Sequence, residues 1–326
     1  LKKAIVITTI NPPRDEIYAY SKISDWQLIC IGDKKSPKKW EVDKVIYLNP
    51  IDQQKEFKNF SKIIPWNIYG RKNIGYLHAI KNGAKIIAET DDDVFPYDNY
   101  PPTITKRKKI KELSGTKFIN IYKYFTKSDC WPRGFPLELI TNKAVIKENI
   151  KQVYAPIQNS VIDKDSDFDA VYRLVSNKQI SFKKKGEYAL AKGTFCPFNS
   201  QNTFFYPEVF QLLYIPFYVN PRVEDILRGY VAQRMLWEIN ANLVFTYTTA
   251  FTSNRNVHNF IKDFKSELPL YLDTIRLVQL LESLSLSSDI STSLIKVYEA
   301  LTKNGFVKKN ETNLVKAWIK ETEKYL

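Results

Sequence analysis

Three aspartates in a row, Asp91 to Asp93, follow an apolar run in the stretch IIAETDDDVFPYDN, residues 86–99. Adjacent carboxylates repel, so such a cluster either stands in water or meets a cation. Two readings are open. One is a solvated turn or a helix N-cap, both of which favour Asp. The other is a site for a hard divalent cation, Mn²⁺ or Mg²⁺, which takes one or two carboxylates plus the oxygens of a substrate phosphate. Held there, the ion would bridge a diphosphate and offset its charge as it departs. Position favours the cation, because the aspartates end what reads as a buried strand, KIIAET, residues 85–90. The register is open by a residue or two, since Glu89-Thr90-Asp91 is also acid-x-acid. A second acidic pair, Glu224-Asp225, opens RVEDILRGYVAQRMLWEI, residues 222–239, which has the spacing of an amphipathic helix. Acids in a first turn complement the helix dipole, or one of them deprotonates a substrate hydroxyl as general base.

The elements that would position these acids follow from periodicity. AIVITTI (4–10), WQLICIGD (26–33), KVIYLN (44–49) and KIIAET are largely apolar runs bounded by turn residues, and they predict strands. NIGYLHAIKNGA (73–84) has helical spacing, with Gly83 suited to the position just past its end. The order predicts an α/β fold, a mostly parallel sheet flanked by helices. Its ligands would bind beyond the carboxyl ends of the strands. Thr8, Thr9 and Asn11, then Gly32 and Asp33, then the three aspartates all fall on that edge. Residues 100–220 are rich in aromatics and Pro, with short strand-like pieces such as KFINIYKYF and EYALAKGTF, and read as the second half of the same domain. NLVFTYTT (242–249) predicts a further strand. From about 262 the Leu and Ile spacing is that of packed helices with no catalytic cluster. A domain over 1–261 and a C-terminal helical appendage over 262–326 are therefore expected.

Several classes are excluded. The chain of 326 residues has no Gly-x-x-x-x-Gly-Lys-Ser/Thr loop, no Gly-x-Gly-x-x-Gly after the first strand and no Gly-x-Ser-x-Gly elbow. Two histidines leave few parts for His-activated nucleophiles. No apolar run approaches the roughly 18–20 residues that span a bilayer. Cys30, Cys130 and Cys196 are odd in number and widely spaced, which fits neither disulfides nor a zinc knuckle and points to a reducing compartment. The net charge of +14 favours anionic partners. Its densest cluster, KRKKIK from Lys106 to Lys111, reads as a solvated loop. No nucleic-acid module accompanies it.

The order and spacing of TTINPP, IGDKKSP, RKNIGYLHAIKNGAKIIAETDDDVFP, WPRGFPLELI, PFNSQNTFF and EDILRGYVAQRMLWE resemble the STELLO family of glycosyltransferases. The resemblance covers roughly residues 4–260 and leaves the C-terminal helices outside. It implies a GT-A nucleotide-diphospho-sugar transferase fold, with a Rossmann-like mixed sheet. It also implies metal-dependent transfer of a sugar from a nucleotide-sugar, a UDP-sugar by preference, to a hydroxyl of a glycan or lipid-linked glycan, as in polysaccharide biosynthesis.

Laid over the residues, the resemblance implies specific roles. Thr8, Thr9 and Asn11 would line the nucleotide pocket, and Asp33 would accept from the base or ribose. Arg71 would meet the diphosphate or base, with Asn73 beside it at a helix start and Gly75 letting that helix approach closely. Asp91 and Asp93 would hold Mn²⁺ or Mg²⁺, with His258 completing the site, Asp92 facing the ribose or donor sugar and Arg255 on the diphosphate. Asp225, with Glu224 its neighbour, would be the general base of an inverting reaction, oriented by Arg228. Trp131 offers a flat face to a sugar and Arg133 a partner to a phosphate or acidic sugar. Asp167, Asp169, Asn199, Ser200, Gln201 and Asn202 would bind sugar hydroxyls. The triple aspartate is also similar to that of the reversibly glycosylated polypeptides, which are UDP-arabinopyranose mutases. A non-catalytic scaffold with the same fold is a further alternative. The expected location is the cytoplasm, with peripheral membrane contact through the basic surface. A chain starting at Leu and cut from a membrane-anchored parent, as in plant members of the family, would instead sit in the Golgi lumen.

Overall fold

Alternate residues of the first strand enter opposite cores, as the two-residue period of a strand requires. The computed structural model describes residues 2–176, 178–183, 185–252 and 259–326. In it β1 (Lys3–Thr8) turns Ala4 and Val6 to one side and Ile5 and Ile7 to the other. The expected strands form β2 (Gln27–Ile31), β3 (Val45–Leu48) and β4 (Ile86–Thr90), paired in parallel in the order β3-β2-β1-β4. Helix α1 (Asp15–Ser21) covers the face of Ile5 and Ile7. After α2 (Pro50–Glu56) and α3 (Lys58–Ile63), α4 (Lys72–Lys81) covers the face of Val6. Gly75 permits that packing. A Cβ there would lie 2.5 Å from Val6 Cγ1 and 2.9 Å from Ile31 Cγ1.

Beyond β4 the sheet becomes mixed. It continues through β5 (Val94–Pro96), β6 (Arg107–Ser114), β7 (Lys147–Tyr154), β8 (Ile157–Asp163), β9 (Glu187–Leu190), β10 (Asn202–Phe205) and β11 (Leu243–Thr252). The order is β3-β2-β1-β4-β10-β8-β11-β9-β6-β7, with β5 on β11 and β10 antiparallel to both its neighbours. This is the GT-A-type α/β architecture. Two local expectations are corrected. KFINIYKYF is not a strand, and its end forms the short α5 (Tyr122–Phe125). The basic run is largely strand β6 rather than loop. Lys108 turns inward to Gln158 and Glu187, and Lys111 pairs with Glu148 across the antiparallel β6–β7 ladder. No helix among the described residues is long and apolar enough to cross a membrane.

After α6 (Ala170–Val175), helix α7 (Glu224–Leu236) departs from its amphipathic expectation, for all of its residues are buried. The reason lies in the three helices that follow, α8 (Phe260–Ser283), α9 (Ile290–Lys303) and α10 (Asn310–Thr322). Helices α8 and α9 pack on α7, α10 packs on α9, α3 and α4, and all of them share its core. Trp318 on α10 is fully buried and donates its indole N–H to Gln211 O at 2.9 Å. The buried Glu311 carboxylate accepts from the Phe217 and Tyr218 amides at 2.9 and 2.8 Å. On α8, the Leu281 carbonyl accepts from Arg234 Nε at 3.0 Å. A boundary at 261/262 therefore cuts one core rather than separating two.

A truncation after residue 261 is expected to yield no cooperatively folded protein, because it strips the cover from α7 and leaves the Phe217 and Tyr218 amides without Glu311. Circular dichroism and thermal melting of the two chain lengths check this. A soluble 1–261 fragment with a sharp transition would show that the helices are an add-on after all.

Candidate active site

The carboxyl edge of β1, β2 and β4 is cut by two cavities that share one wall residue, Tyr69. The first, of about 300 Å³, is lined by Thr8, Thr9, Asn11, Asp33, Lys35, Asn67, Ile68, Tyr69 and Asp92. The second, of about 210 Å³, is lined by Tyr69, Asp91, Asp93, Arg133, Asp167, Ser200, Gln201, Pro221, Arg222, Glu224 and Asp225. The three aspartates thus divide between the two cavities, with Asp92 alone on the first.

The first cavity is built from strand ends tied together. Asp92 Oδ2 accepts from Thr9 Oγ1 and, at 2.9 Å, from Asn11 Nδ2. Asp33 accepts from the amides of Lys34 and Asn67 at 2.6 and 2.7 Å, so it holds two loops as well as facing the cavity. Thr8 lines this cavity, while its hydroxyl is buried with no partner in the protein.

The second cavity rests on a continuous chain of polar contacts. Lys72, wholly buried at the start of α4, places Nζ 2.9 Å from Asp91 Oδ1, 2.6 Å from the Tyr69 hydroxyl and 2.6 Å from Thr90 O. The Tyr69 hydroxyl donates to the same Asp91 oxygen at 2.7 Å and lies 2.5 Å from Ser200 Oγ. Burial, with the Asp91 charge beside it, pushes the Tyr69 phenol well above its usual range, so it stays a neutral donor. Ser200 Oγ reaches Asp225 Oδ2 at 3.5 Å. Arg133 grips Asp225 with both terminal nitrogens, at 3.1 and 3.0 Å, and Asp167 with Nε at 2.8 Å. Burial works against the Arg133 charge, yet Asp167 and Asp225 raise its pKa well above the usual guanidinium range. Asn199 donates to Asp167 at 3.1 Å and to Gln201 at 3.3 Å. Arg222 is fixed from behind by Glu267 of α8, with Nε at 2.7 Å.

Glu224 differs from its neighbours. It lines the same cavity, is only 2% exposed, and its Oε1 has no hydrogen-bond partner. Burial first, and the Asp225 charge next, raise its pKa well above the usual carboxyl value.

Some expected site residues lie elsewhere. Arg71 is buried, lines neither cavity and spends its guanidinium on Pro65 O, Gln53, Ser61 and Ile64 O, stacked on Trp66. The cation that faces the aspartates is the next residue, Lys72. Asn73 is also buried, exchanging hydrogen bonds with the Ile215 backbone. Arg228 does not orient Asp225 by hydrogen bonding. It pairs with the buried Glu89 at 2.6 Å. Trp131 turns its indole N–H to Asp169 at 2.6 Å, and Asp169 caps α6. Burial raises the Asp169 pKa to about 6. Neither residue lines the cavity. Arg255 and His258 lie outside the described residues, and among those described no three acids, cysteines or histidines form a metal cage.

Lys72, Tyr69 and Arg222 were not singled out from sequence. Lys72 carried no sequence signal that set it apart from Arg71. It stands four residues before Tyr76 on α4, and Tyr76 donates to Glu89. One helix face thus serves both acids of the Glu-x-Asp pair.

A GT-A-type fold with an acidic strand edge defines a class, and comparison with known proteins narrows it. A sequence model of the STELLO glycosyltransferases matches residues 222–325. Two Arabidopsis thaliana proteins, named probable glycosyltransferases STELLO1 and STELLO2, are 28% and 27% identical to this chain over 98% of its length. The matched part is 44% of each plant protein, so the chain spans less than half the length of these curated relatives. The likeness to the STELLO family read from the motifs is thereby shown. It also extends through the C-terminal helices, which the motifs had left outside.

Because the folded Glu224 carboxyl titrates above its unfolded value of about 4.3, its burial costs little while it is protonated. The cost grows as pH rises toward the folded value, at up to about 1.4 kcal/mol per pH unit. Glu224→Gln should therefore raise Tm slightly at pH 5 and more at pH 8. Melts of both proteins at the two pH values check this, and a pH-independent shift would remove charge burial as the cause.

Proposed function

We propose that this chain is a glycosyltransferase that moves a sugar from a nucleoside-diphosphate donor to a hydroxyl, with Mn²⁺ or Mg²⁺ bound. The acceptor hydroxyl would belong to a glycan or lipid-linked glycan, as in polysaccharide biosynthesis, and a UDP-sugar is the favoured donor. The observation that carries the reading is the pair of cavities joined at Tyr69, with the aspartates between them. A nucleoside suits the first, where Asn11, Asp33 and Asp92 offer polar positions. The transferred sugar and the attacking hydroxyl suit the second.

The donor set fits a divalent ion. Five carboxylates line the second cavity against the guanidinium groups of Arg133 and Arg222. Asp91 and Asp93, with a substrate diphosphate, make the sparse oxygen set that Mg²⁺ takes. Bound there, the ion would offset the charge of the departing nucleoside diphosphate.

For the base, the geometry favours Glu224 over Asp225. Both Asp225 oxygens are engaged by Arg133, whereas Glu224 Oε1 has no partner, and burial makes its carboxylate more basic than a free one. The acceptor oxygen would attack the anomeric carbon with inversion, the bond to the diphosphate would break, and the hydroxyl proton would pass to Glu224. Asp225 would fix Arg133 and Ser200 around the sugar.

Two measurements test this. In a thermal-shift panel of UDP-, GDP-, CMP- and dTDP-sugars with and without Mn²⁺, one donor should stabilise the protein, by about 2.7 kcal/mol at a hundredfold excess over Kd. Replacing Asp91 and Asp93 together by Ala should remove the Mn²⁺-dependent part, and an unchanged response would sink the metal reading. With donor and acceptor in hand, Glu224→Gln should lower kcat by about 10²–10⁴-fold with donor Kd little changed. If Glu224→Gln is active and Asp225→Asn is dead at unchanged donor Kd, the base is Asp225. A donor isomerised without any acceptor would instead indicate a mutase.

A further inference from the structure

We infer that Lys72 keeps the empty site from taking a divalent cation, so that the metal enters only together with a nucleoside diphosphate. The inference rests on the metal reading proposed above and adds an order of binding to it. Lys72 is wholly buried, and its ammonium has no route to solvent or to a ligand in either cavity. It sits 2.9 Å from Asp91 Oδ1, the oxygen that also accepts from Tyr69 at 2.7 Å. That oxygen is therefore filled by two donors, and one full positive charge already balances the carboxylate before any ion arrives. The ammonium cannot swing away, because Thr90 O at 2.6 Å and Ser200 O at 3.4 Å hold it from behind.

A divalent ion entering the empty cavity would meet this fixed cation behind Asp91 and the Arg133 guanidinium nearby. It would also find no cage of three acidic, cysteine or histidine ligands among the described residues. A diphosphate reverses the balance by bringing negative charge and oxygen ligands to the side of Asp91 that Lys72 does not occupy. Metal and nucleotide then each strengthen the other's binding by the same factor, as linkage requires.

Mn²⁺ binding followed by electron paramagnetic resonance, with and without saturating UDP or GDP, tests the inference without needing turnover. In the wild type, the better of the two nucleotides should tighten Mn²⁺ binding at least tenfold over the protein alone. Lys72→Met should bind Mn²⁺ at least tenfold more tightly than wild type in the absence of nucleotide, and the nucleotide should then help less. Lys72→Gln, which keeps a hydrogen-bond donor but no charge, should behave like Lys72→Met, and melting curves establish that each variant is folded. Wild-type protein that binds Mn²⁺ equally well with and without nucleotide overturns the inference even if neither variant folds. Folded variants no tighter than wild type overturn it as well, leaving Lys72 a structural ion pair. Nucleotide binding with no Mn²⁺ bound in any state would overturn the metal reading itself, a result distinct from the other two.

Discussion

A carboxylate leaves water only in the company of counter-charge or hydrogen-bond donors, since the solvation it loses must be replaced. That constraint organises this protein. Lys72 on α4 answers Asp91, Arg228 on α7 answers Glu89, Arg133 answers Asp167 and Asp225 together, and Arg222 answers Glu267. Each pair joins different elements, so the acids of the carboxyl edge are also the bolts between α4, α7, the 131–136 loop and the sheet. Glu224 is the exception, buried in the same wall with one oxygen unserved. A stabilised fold would not leave it so. Positions where local rules fail are where function is expected.

What could be read in advance follows the same division. The strands around β1 were legible because β-branched runs bounded by turn residues have few other readings. The aspartates were legible as a site because a strand end fixes which edge they occupy. The partners were not. Arg71 and Lys72 are adjacent cations at a helix start. Which of them faces the acids depends on the phase of the short turn over Tyr69–Arg71, which no pattern in the sequence specifies. Trp131 and Arg228 have side chains that suit sugar or carboxylate recognition, and each is consumed by another buried acid. Residue type stated the chemistry available, and packing decided where it was spent.

The helices after residue 260 show the same limit at larger scale. Their own sequences read as ordinary packed helices, and nothing in them signals the edge of β4. Yet Glu267 reaches back to Arg222 on the cavity wall, and Glu311 holds the backbone just before it. That the matched family region runs from residue 222 to 325 agrees with the physical unit, in which α7 and the helices that cover it act as one body.

The pairing of α4 with β4 has a consequence in lengths. Lys72 and Tyr76 are four helical residues apart, a rise of about 6.0 Å. Asp91 and Glu89 are two strand residues apart, about 6.6 Å. The two rulers differ by about 0.6 Å over one division and by about 1.2 Å over two, like a vernier read at a single mark. A helix laid on a strand in this way can serve two acids and hardly a third. One residue inserted between Lys72 and Tyr76 would turn the first about 100° from the second, so the spacing tolerates substitution far better than insertion.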